Sequence, residues 1–497
     1  MQFRKHVCCF FLLLPVLSCS SKHHSWFTSL DNTGTYSSAR MVDLNNDNIL
    51  DVVIGAGGKE EIHSDTAVMA LDGATGKILW AIPGSNQFVG SAVFKDINND
   101  KIADVFIGGR WAQLTAISGA DGKVLWTFFP ERTKVDGGDG GWYNFTTPQF
   151  VPDQDGDGID DLIIANGGDA KAAPYDISRP VGRLLVLSSK NGKILANVAV
   201  PDGKETYMSV VCVAGVDKDW KVLFGTGGET IGGHLYSSSL HDIMRGNISG
   251  ARILAGSEIK GFVASPVLAD INKDGVKDII VNAVDGRMMA IDGVSDSVLW
   301  QVNFPGTEAY TIPAAGFFND DSIPDFFANF AIGVFPRLTK SIRFMVDGSN
   351  GKIVYQDTIP SFQYASAVVA DLNGDGNDEV IVNQSELKRM QFENKYYSYL
   401  LAFDFKNHRK YSLGDTIQAT NLASTPWIGD IDADGKYDII SSAVKYKNAQ
   451  FDLQQPLSLL ISCYRTDYKI TKPVVWGAFM GSSYTGIFDL PGNNAHR

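Results

Sequence analysis

The sequence predicts an all-β fold: a single β-propeller of eight four-stranded blades, with seven blades as the alternative count. Three observations lead there. A unit of charged loop, apolar run, glycine-rich turn, second apolar run and aromatic residue, first complete over residues 41–80, recurs to the C-terminus about every fifty to sixty residues. Its strands are short and alternating, with scarcely any sustained helical period. The chain carries 50 glycines against 18 prolines, which suits many tight turns. A solenoid would have to cap its open sheet edges, whereas a ring closes on itself and leaves only short ones.

Along the chain, Arg4 and Lys5 precede an apolar run from Val7 to Leu17, too short to span a bilayer and flanked like a secretory signal. The ending Val16-Leu17-Ser18-Cys19 resembles the lipobox of bacterial lipoproteins, which implies cleavage before Cys19 and acylation of its thiol. Residues 1–18 therefore read as a lipoprotein signal peptide, 19–25 as a tether and 26–497 as the propeller, with repeats starting near 41, 94, 151, 210, 266, 313, 367 and 425. The segment from Ser25 to Leu30, with Trp26, is expected to add a strand to the last blade and lock the ring. Cys212 and Cys463 fall in separate apolar runs and read as buried free thiols.

Each repeat opens on an acidic loop. Asp43, Asn45, Asp47 and Asp51 occupy positions 1, 3, 5 and 9 of the first, and Asp96, Asn98, Asp100 and Asp104 those of the second. The same places hold Asp153, Asp155, Asp157 and Asp161 in repeat three, and Asp270, Asn272, Asp274 and Asp278 in repeat five. Repeat seven has Asp371, Asn373, Asp375 and Glu379, and repeat eight Asp430, Asp432, Asp434 and Asp438. Repeat six has lost its first ligand to Phe317, and repeat four, with GVDKDWK, has lost the set. Oxygen donors at this spacing around a flexible loop suit a hard cation of calcium size, and about six Ca²⁺ sites are expected. Position 12, where an EF-hand needs a glutamate, holds Ile54, Ile107, Ile164, Val281, Val382 or Ser441, and a strand follows. In this the loops resemble the FG-GAP repeat of integrin α-subunit propellers and their bacterial relatives, a resemblance that implies calcium for the six intact loops.

The second half of the unit reads ALDGATGKILW, AISGADGKVLW and AIDGVSDSVLW, with VDGSNGKIVY as a worn copy. It resembles the blade motif of quinoprotein-type propellers, which implies that Trp80, Trp126 and Trp300, with Tyr355 in the fourth copy, dock between neighbouring blades. An indole suits that place when its N–H finds a backbone partner. The mature chain lacks the adjacent cysteine pair of many quinoprotein enzymes, and no organic cofactor is expected.

Function is sought where the pattern breaks, because binding residues favour loops on a rigid scaffold. Three places qualify: residues 136–144 with Trp142 and Tyr143; the repeat-three insertion, 169–182, with Tyr175, Arg179 and adjoining Arg183; and the repeat-four insertion, about 229–250, with His234, Tyr236 and His241. Aromatics beside arginine stack on sugars or grip carboxylates. No catalytic motif stands out, and no catalytic residue is assigned. The formal charge of −13 becomes −15 without Arg4 and Lys5, and six Ca²⁺ would bring it to −3; the acidity is a ligand supply, and no basic stripe points to nucleic acid. The expectation is a monomeric, lipid-anchored, calcium-stabilised scaffold of the bacterial cell envelope, touching the membrane only through its lipid and binding a protein or glycan on one propeller face. A calcium-dependent polysaccharide lyase or hydrolase is the alternative.

Overall fold

The structure is a computed structural model that describes residues 25–58, 62–128, 142–169, 171–215, 219–389, 394–446 and 456–490. Eight antiparallel sheets form the eight blades, each with four strands in series and a short extra segment in blades three and six. Blade one is built from Arg40–Val42, Asp51–Gly55, Ser64–Leu71 and Ile78–Gly84, innermost strand first. In blade eight the inner three strands are Trp427–Gly429, Lys436–Tyr446 and Pro456–Lys469, and the outermost is Trp26–Asp31 from the other end of the chain. That strand pairs antiparallel with its neighbour, Trp26 opposite Cys463 and Asp31 opposite Ser458, and closes the ring as expected. Cys212 and Cys463 are buried free thiols. The second strands, on both sides of which other blades pack, read as the near-continuous apolar runs that double burial requires; Val52, Val53 and Ile54 are fully buried.

Two sets of fasteners join the blades. Away from the axis, Trp80 Nε1 donates to the Gly119 carbonyl of the next blade (2.7 Å), Trp126 to Ser189 (2.7 Å), Trp300 to Gly348 (2.7 Å) and Trp26 to Gly73 (2.8 Å). The indole lies on the turn glycine of that blade: a Cβ at Gly122, whose φ is +72°, would come within 2.7 Å of Trp80. Both the left-handed backbone and the lack of room require glycine there. Around the axis runs a belt of buried hydroxyls just before the innermost strands. The N–H of Ser38 donates to Ser91 Oγ (3.1 Å), that of Ser91 to Thr147 Oγ1 (3.0 Å), and that of Thr147 to Ser209 Oγ (3.1 Å). Past blade five, where Ser265 Oγ donates to the Ser209 carbonyl (2.7 Å), the belt resumes from Ile312 N–H to Ser366 Oγ (3.0 Å). Ser366 N–H then donates to Thr425 Oγ1 (3.2 Å), and Thr425 N–H returns to Ser38 Oγ (2.9 Å).

Below the belt a C-terminal plug fills the axis. PVVWGAFM, residues 473–480, which closes repeat eight in the sequence, forms the start of this irregular segment and no strand. Trp476 O accepts from Val369 N–H (2.8 Å), Gly477 O from Ile428 N–H (2.7 Å) and Gly486 O from Leu268 N–H (2.9 Å). These are inner-edge groups of blades seven, eight and five, which lack a sheet neighbour and need a partner. The single helix among the described residues, Leu240–Met244, is far too short to cross a membrane.

Two outcomes test the closure. Deleting residues 20–35 is expected to lower the thermal midpoint sharply, and an unchanged midpoint would refute the fastening role. Ser91→Ala, which leaves the Ser38 N–H buried without an acceptor, is expected to cost about 1–3 kcal/mol in urea denaturation.

Candidate functional sites

The strand order places the acidic loops and the DG turns on one face of the ring, here the lower. The hairpins between second and third strands and the connections between blades gather on the upper face. Sequence-predicted residues fall on both.

In each intact acidic loop the first carboxylate caps loop N–H groups: Asp43 Oδ1 accepts from Asn46 (2.8 Å) and Oδ2 from Asn48 (3.0 Å), and Asp153 repeats this with Gly156 (2.7 Å) and Gly158 (2.8 Å). The position-9 carboxylate is buried and staples the loop to the DG turn. Asp51, for example, accepts from Leu44 N–H (2.9 Å) and Gly73 N–H (2.8 Å). Burial, helped by neighbouring carboxylates and opposed by these hydrogen bonds, raises its pKa to about 6. It does the same to Asp161 and takes Asp325 to about 7 and Glu379 to about 8, while Asp104 and Asp278 also move up. A divalent cation is one group that would hold such carboxylates ionised.

Three loops bring carboxylate oxygens within 4.8 Å of one another: Asp153, Asp155 and Asp161; Asp375, Glu379 and Asp404; and Asp430, Asp432 and Asp438. Asp404 was missed from sequence. It belongs to the second hairpin, as do Asp72 and Asp292, which lie against Asn45 (3.4 Å) and Asn272 (2.9 Å); the aspartate of an A-x-D turn, followed by glycine at Asp72 and Asp292 and by Phe405 at Asp404, was the available signal. In loops one, two and five the position-3 amide oxygens of Asn45, Asn98 and Asn272 accept from the N–H of Asp47, Asp100 and Asp274 (2.9–3.0 Å). Blade eight differs. Arg465 Nη1 lies 2.8 Å from Asp438 and 3.3 Å from Asp432, so a guanidinium already sits where the cation would, and Nη2 reaches Gly73 O of blade one (3.2 Å). Part of the repeat-four loop, 216–218, lies outside the described residues.

On the upper face the interrupted repeats pair their charges internally. Arg179 is buried with Glu205, 3.8 Å away, and donates to the Asp176 carbonyl (2.7 Å) and Thr230 (3.2 Å). Tyr207 O–H donates to Glu205 (3.1 Å). Burial nonetheless outweighs Arg179 and lifts the Glu205 pKa to about 7. His234 Nδ1 faces Asp202 at 3.1 Å, and Thr226 donates to the same oxygen (2.6 Å). Tyr236 is 3% exposed and stacks on Phe224, so it is a core residue and not a ligand contact. The sequence reading placed it and His234 in a loop; they lie in the strand Gly233–Ser239, where Leu235 and Tyr236 are both buried. His241 sits on the short helix at the lower face, apart from them. Arg183 bonds Asn197 across its own sheet (3.1 Å).

Tyr143 lends its backbone to Asn166 (3.1 and 2.9 Å). Trp142 packs edge-on against Phe128 (5.3 Å) and lines a groove with Val124, Trp126 and Ile194; residues 129–141 lie outside the described residues. Tyr175 is exposed, at 55%, on the blade-three insertion. Across the axis, blades six and seven send up ten- and eleven-residue strands, Asp325–Val334 with Arg337–Val346 and Glu379–Arg389 with Asn394–Asp404. The sequence reading missed this wall because long strands merge with the repeat. Tyr310 meets Tyr364 edge-on (4.7 Å), and Glu308 accepts from Tyr310 (2.6 Å) and is paired to Lys260.

The model of the FAM234A/B β-propeller matches residues 26–367, well over half the chain. The chain belongs to the FAM234A/B β-propeller family. Protein FAM234B of Mus musculus is 23% identical to it over 388 residues, covering 71% of this chain and 57% of that one. This family member thus spans less than two thirds of the curated relative's length. Among solved structures it is similar to the quinohemoprotein alcohol dehydrogenase ADHIIG of Pseudomonas putida HK5, at 11% identity and a TM-score of 0.50, over 90% of this chain and 77% of that one. BamB of Moraxella catarrhalis aligns at 9% identity over 88% and 98% of the two chains, with a TM-score of 0.44. Such likeness concerns the propeller fold alone. The mouse relative overturns the reading as a bacterial cell-envelope lipoprotein. A four-residue apolar-x-small-Cys pattern arises easily at the end of an apolar leader, and Cys19 lies outside the described residues.

The buried acid of the upper face gives a signed pH prediction. Its folded pKa of about 7 lies above the ordinary 4.5, so the stability that its protonated form contributes is full below about pH 4.5 and lost as pH rises through 7. Glu205→Gln is expected to lose less stability than the unsubstituted protein between pH 5 and pH 8 in urea denaturation; equal losses would place no such burden on Glu205.

Proposed function

We propose that this FAM234A/B-family propeller is a calcium-stabilised, non-catalytic scaffold whose upper face binds a protein or glycan partner. The observation that carries the proposal is the division of labour between the faces. The lower face holds repeated carboxylate loops and is filled at the axis by the C-terminal plug, whereas the upper face presents the tall hairpins of blades six and seven and the blade-three insertion with its exposed Tyr175. Binding residues on such protruding loops inherit the rigidity of the ring beneath them. Arg179 is paired with Glu205 and His234 with Asp202.

Calcium is proposed for the loops of blades one, two, three, five and seven. Asp153, Asp155, Asp157 and Asp161 fit best, because three of their carboxylates already converge and no side-chain cation lies among those three. In blade seven Asp371, Asn373, Asp375 and Glu379 would be joined by Asp404. In blade eight the ion would have to displace Arg465. Each ion would draw two strands' loops onto one centre and favour the ionised position-9 carboxylates. Tyr175, exposed on the blade-three insertion, and Trp142, half-buried against Phe128 beside the groove at the outer strands of blades two and three, are the proposed ligand contacts.

Chelation by EGTA is expected to lower the thermal midpoint by many degrees, with recovery on adding calcium and little on adding magnesium, whose coordination demands are stricter. A midpoint indifferent to EGTA would remove calcium from the proposal. For the binding reading, the calcium-loaded chain would be applied to glycan and ectodomain arrays. Tyr175→Ala is expected to cut the bound signal at least about tenfold at an unchanged thermal midpoint. Release of unsaturated uronides from an acidic polysaccharide would instead favour the lyase.

A further inference from the structure

The hairpins between second and third strands of blades six, seven and eight stand side by side on the upper face and are tied together below their crests. Arg343 of blade six donates to Gln384 of blade seven (2.7 Å), and Asn383 of blade seven to Ser441 of blade eight (2.8 Å). In blades one and two the second strands, Asp51–Gly55 and Asp104–Gly108, have five residues each. Asp325–Val334 and Glu379–Arg389 start at the same loop position and have ten and eleven. At about 3.3 Å per residue their crests rise roughly 17–20 Å further. Blade eight follows with the eleven-residue Lys436–Tyr446.

These crests are positively charged in a chain whose formal charge is −13. Arg337 and Lys340 on blade six, Lys388 on blade seven and Lys445 on blade eight are exposed, and none is paired with a carboxylate among the described residues. Lower on the ring several exposed lysines are paired: Lys123 with Asp121 (2.5 Å), Lys410 with Asp357 (2.8 Å) and Lys436 with Asp467 (3.1 Å). Lys388 stands 4.8 Å over the ring of Tyr397, which holds it in place without neutralising it. Among the described crest residues, within 332–341, 384–398 and 443–458, the one acid is Glu386. Its Oε1 is turned to its own blade, accepting from Tyr399 (2.6 Å) and Gln384 (3.1 Å).

We propose that the crests of blades six to eight bind an acidic polysaccharide, a chain that carries carboxylate or sulfate groups at sugar-repeat spacing. The inference rests on the reading of the upper face as the binding face and names its ligand chemistry. Cations without acid partners on three neighbouring hairpins lie along an arc of the ring and not in one pocket, so they suit an extended, multiply charged ligand. Three of the four are lysines, point charges on flexible stems that meet anions at variable positions, whereas a single planar carboxylate or phosphate is better gripped by arginine. A protein partner would need an apolar core at its interface, and a membrane an apolar wedge. Among the described crest residues the exposed large apolar side chains are Val334 on blade six and Leu457 on blade eight, with blade seven between them.

The test applies the full chain, at fixed calcium, to surfaces bearing dextran sulfate, hyaluronate or uncharged dextran. Binding to dextran sulfate or hyaluronate and not to dextran is expected, weakening as salt rises, and the two acidic polymers tell sulfate from carboxylate. Lys340→Glu with Lys388→Glu and Lys445→Glu is expected to weaken that binding at least about tenfold at an unchanged thermal midpoint, since all three side chains are exposed. No binding to either acidic polymer would overturn the proposal. An affinity indifferent to the charge reversals would do the same, because it places the polymer elsewhere, as on the calcium loops. So would tighter binding to phosphatidylserine vesicles or duplex DNA than to either polymer. A protein or neutral glycan whose binding is lost in Tyr175→Ala and kept in the triple variant would leave the upper-face reading standing and overturn the acidic polysaccharide alone.

Discussion

A ring of eight sheets is only as secure as its axis, where the innermost strands converge and each presents an edge with no sheet neighbour. The belt from Ser38 through Ser91, Thr147 and Ser209, and from Ile312 through Ser366 and Thr425 back to Ser38, meets that constraint by giving each backbone N–H a hydroxyl from the next blade. Each bond contributes modestly while made, but its loss strands a buried donor. The tryptophan ties act further out. Two fasteners at different radii fix both the spacing and the tilt of neighbouring blades, and the loops on either face inherit a stiff base.

Much of this was legible in the chain. Strand order, the docking of Trp80, Trp126 and Trp300, and closure through Trp26 follow from repeated patterns whose physical purpose is plain: an apolar run must be buried, and an indole N–H must be satisfied. The belt was not legible, because a serine or threonine before Ala, Pro or Val carries little information alone. Only the ring geometry brings Ser38 and Thr425 together across 387 residues. The plug was not legible for a related reason. PVVWGAFM has the composition of a strand, but the N-terminal strand already fills the outer place in blade eight, so these residues turn inward to cap unpaired strand edges.

The upper-face candidates show the same limit. Sequence alone registers His234, Tyr236 and Arg179 as unusual residues in an interrupted repeat, and it cannot tell a group aimed at a ligand from one aimed at its neighbour. Tyr236 faces Phe224 and Arg179 faces Glu205, so local packing claims both. Likewise Arg465 reads as an ordinary strand residue until the fold sets it among the blade-eight carboxylates. Degeneracy in a repeat therefore has two meanings, a lost function and an internal replacement for it, and only the packed structure separates them.

The place of Trp26–Asp31 bears on how the molecule is made. Its partner strand lies more than 400 residues away, with Trp26 opposite Cys463. At ribosomal rates of about 5–20 residues per second, the segment emerges roughly 20 to 90 seconds before the strand it must join. Seven blades can assemble in that interval while a β-strand with an apolar flank waits unpaired, and contacts of such long sequence separation are slow to form. The newborn chain is thus a slit ring with one open edge, and the hazard of that state is pairing with a second copy before its own last blade arrives.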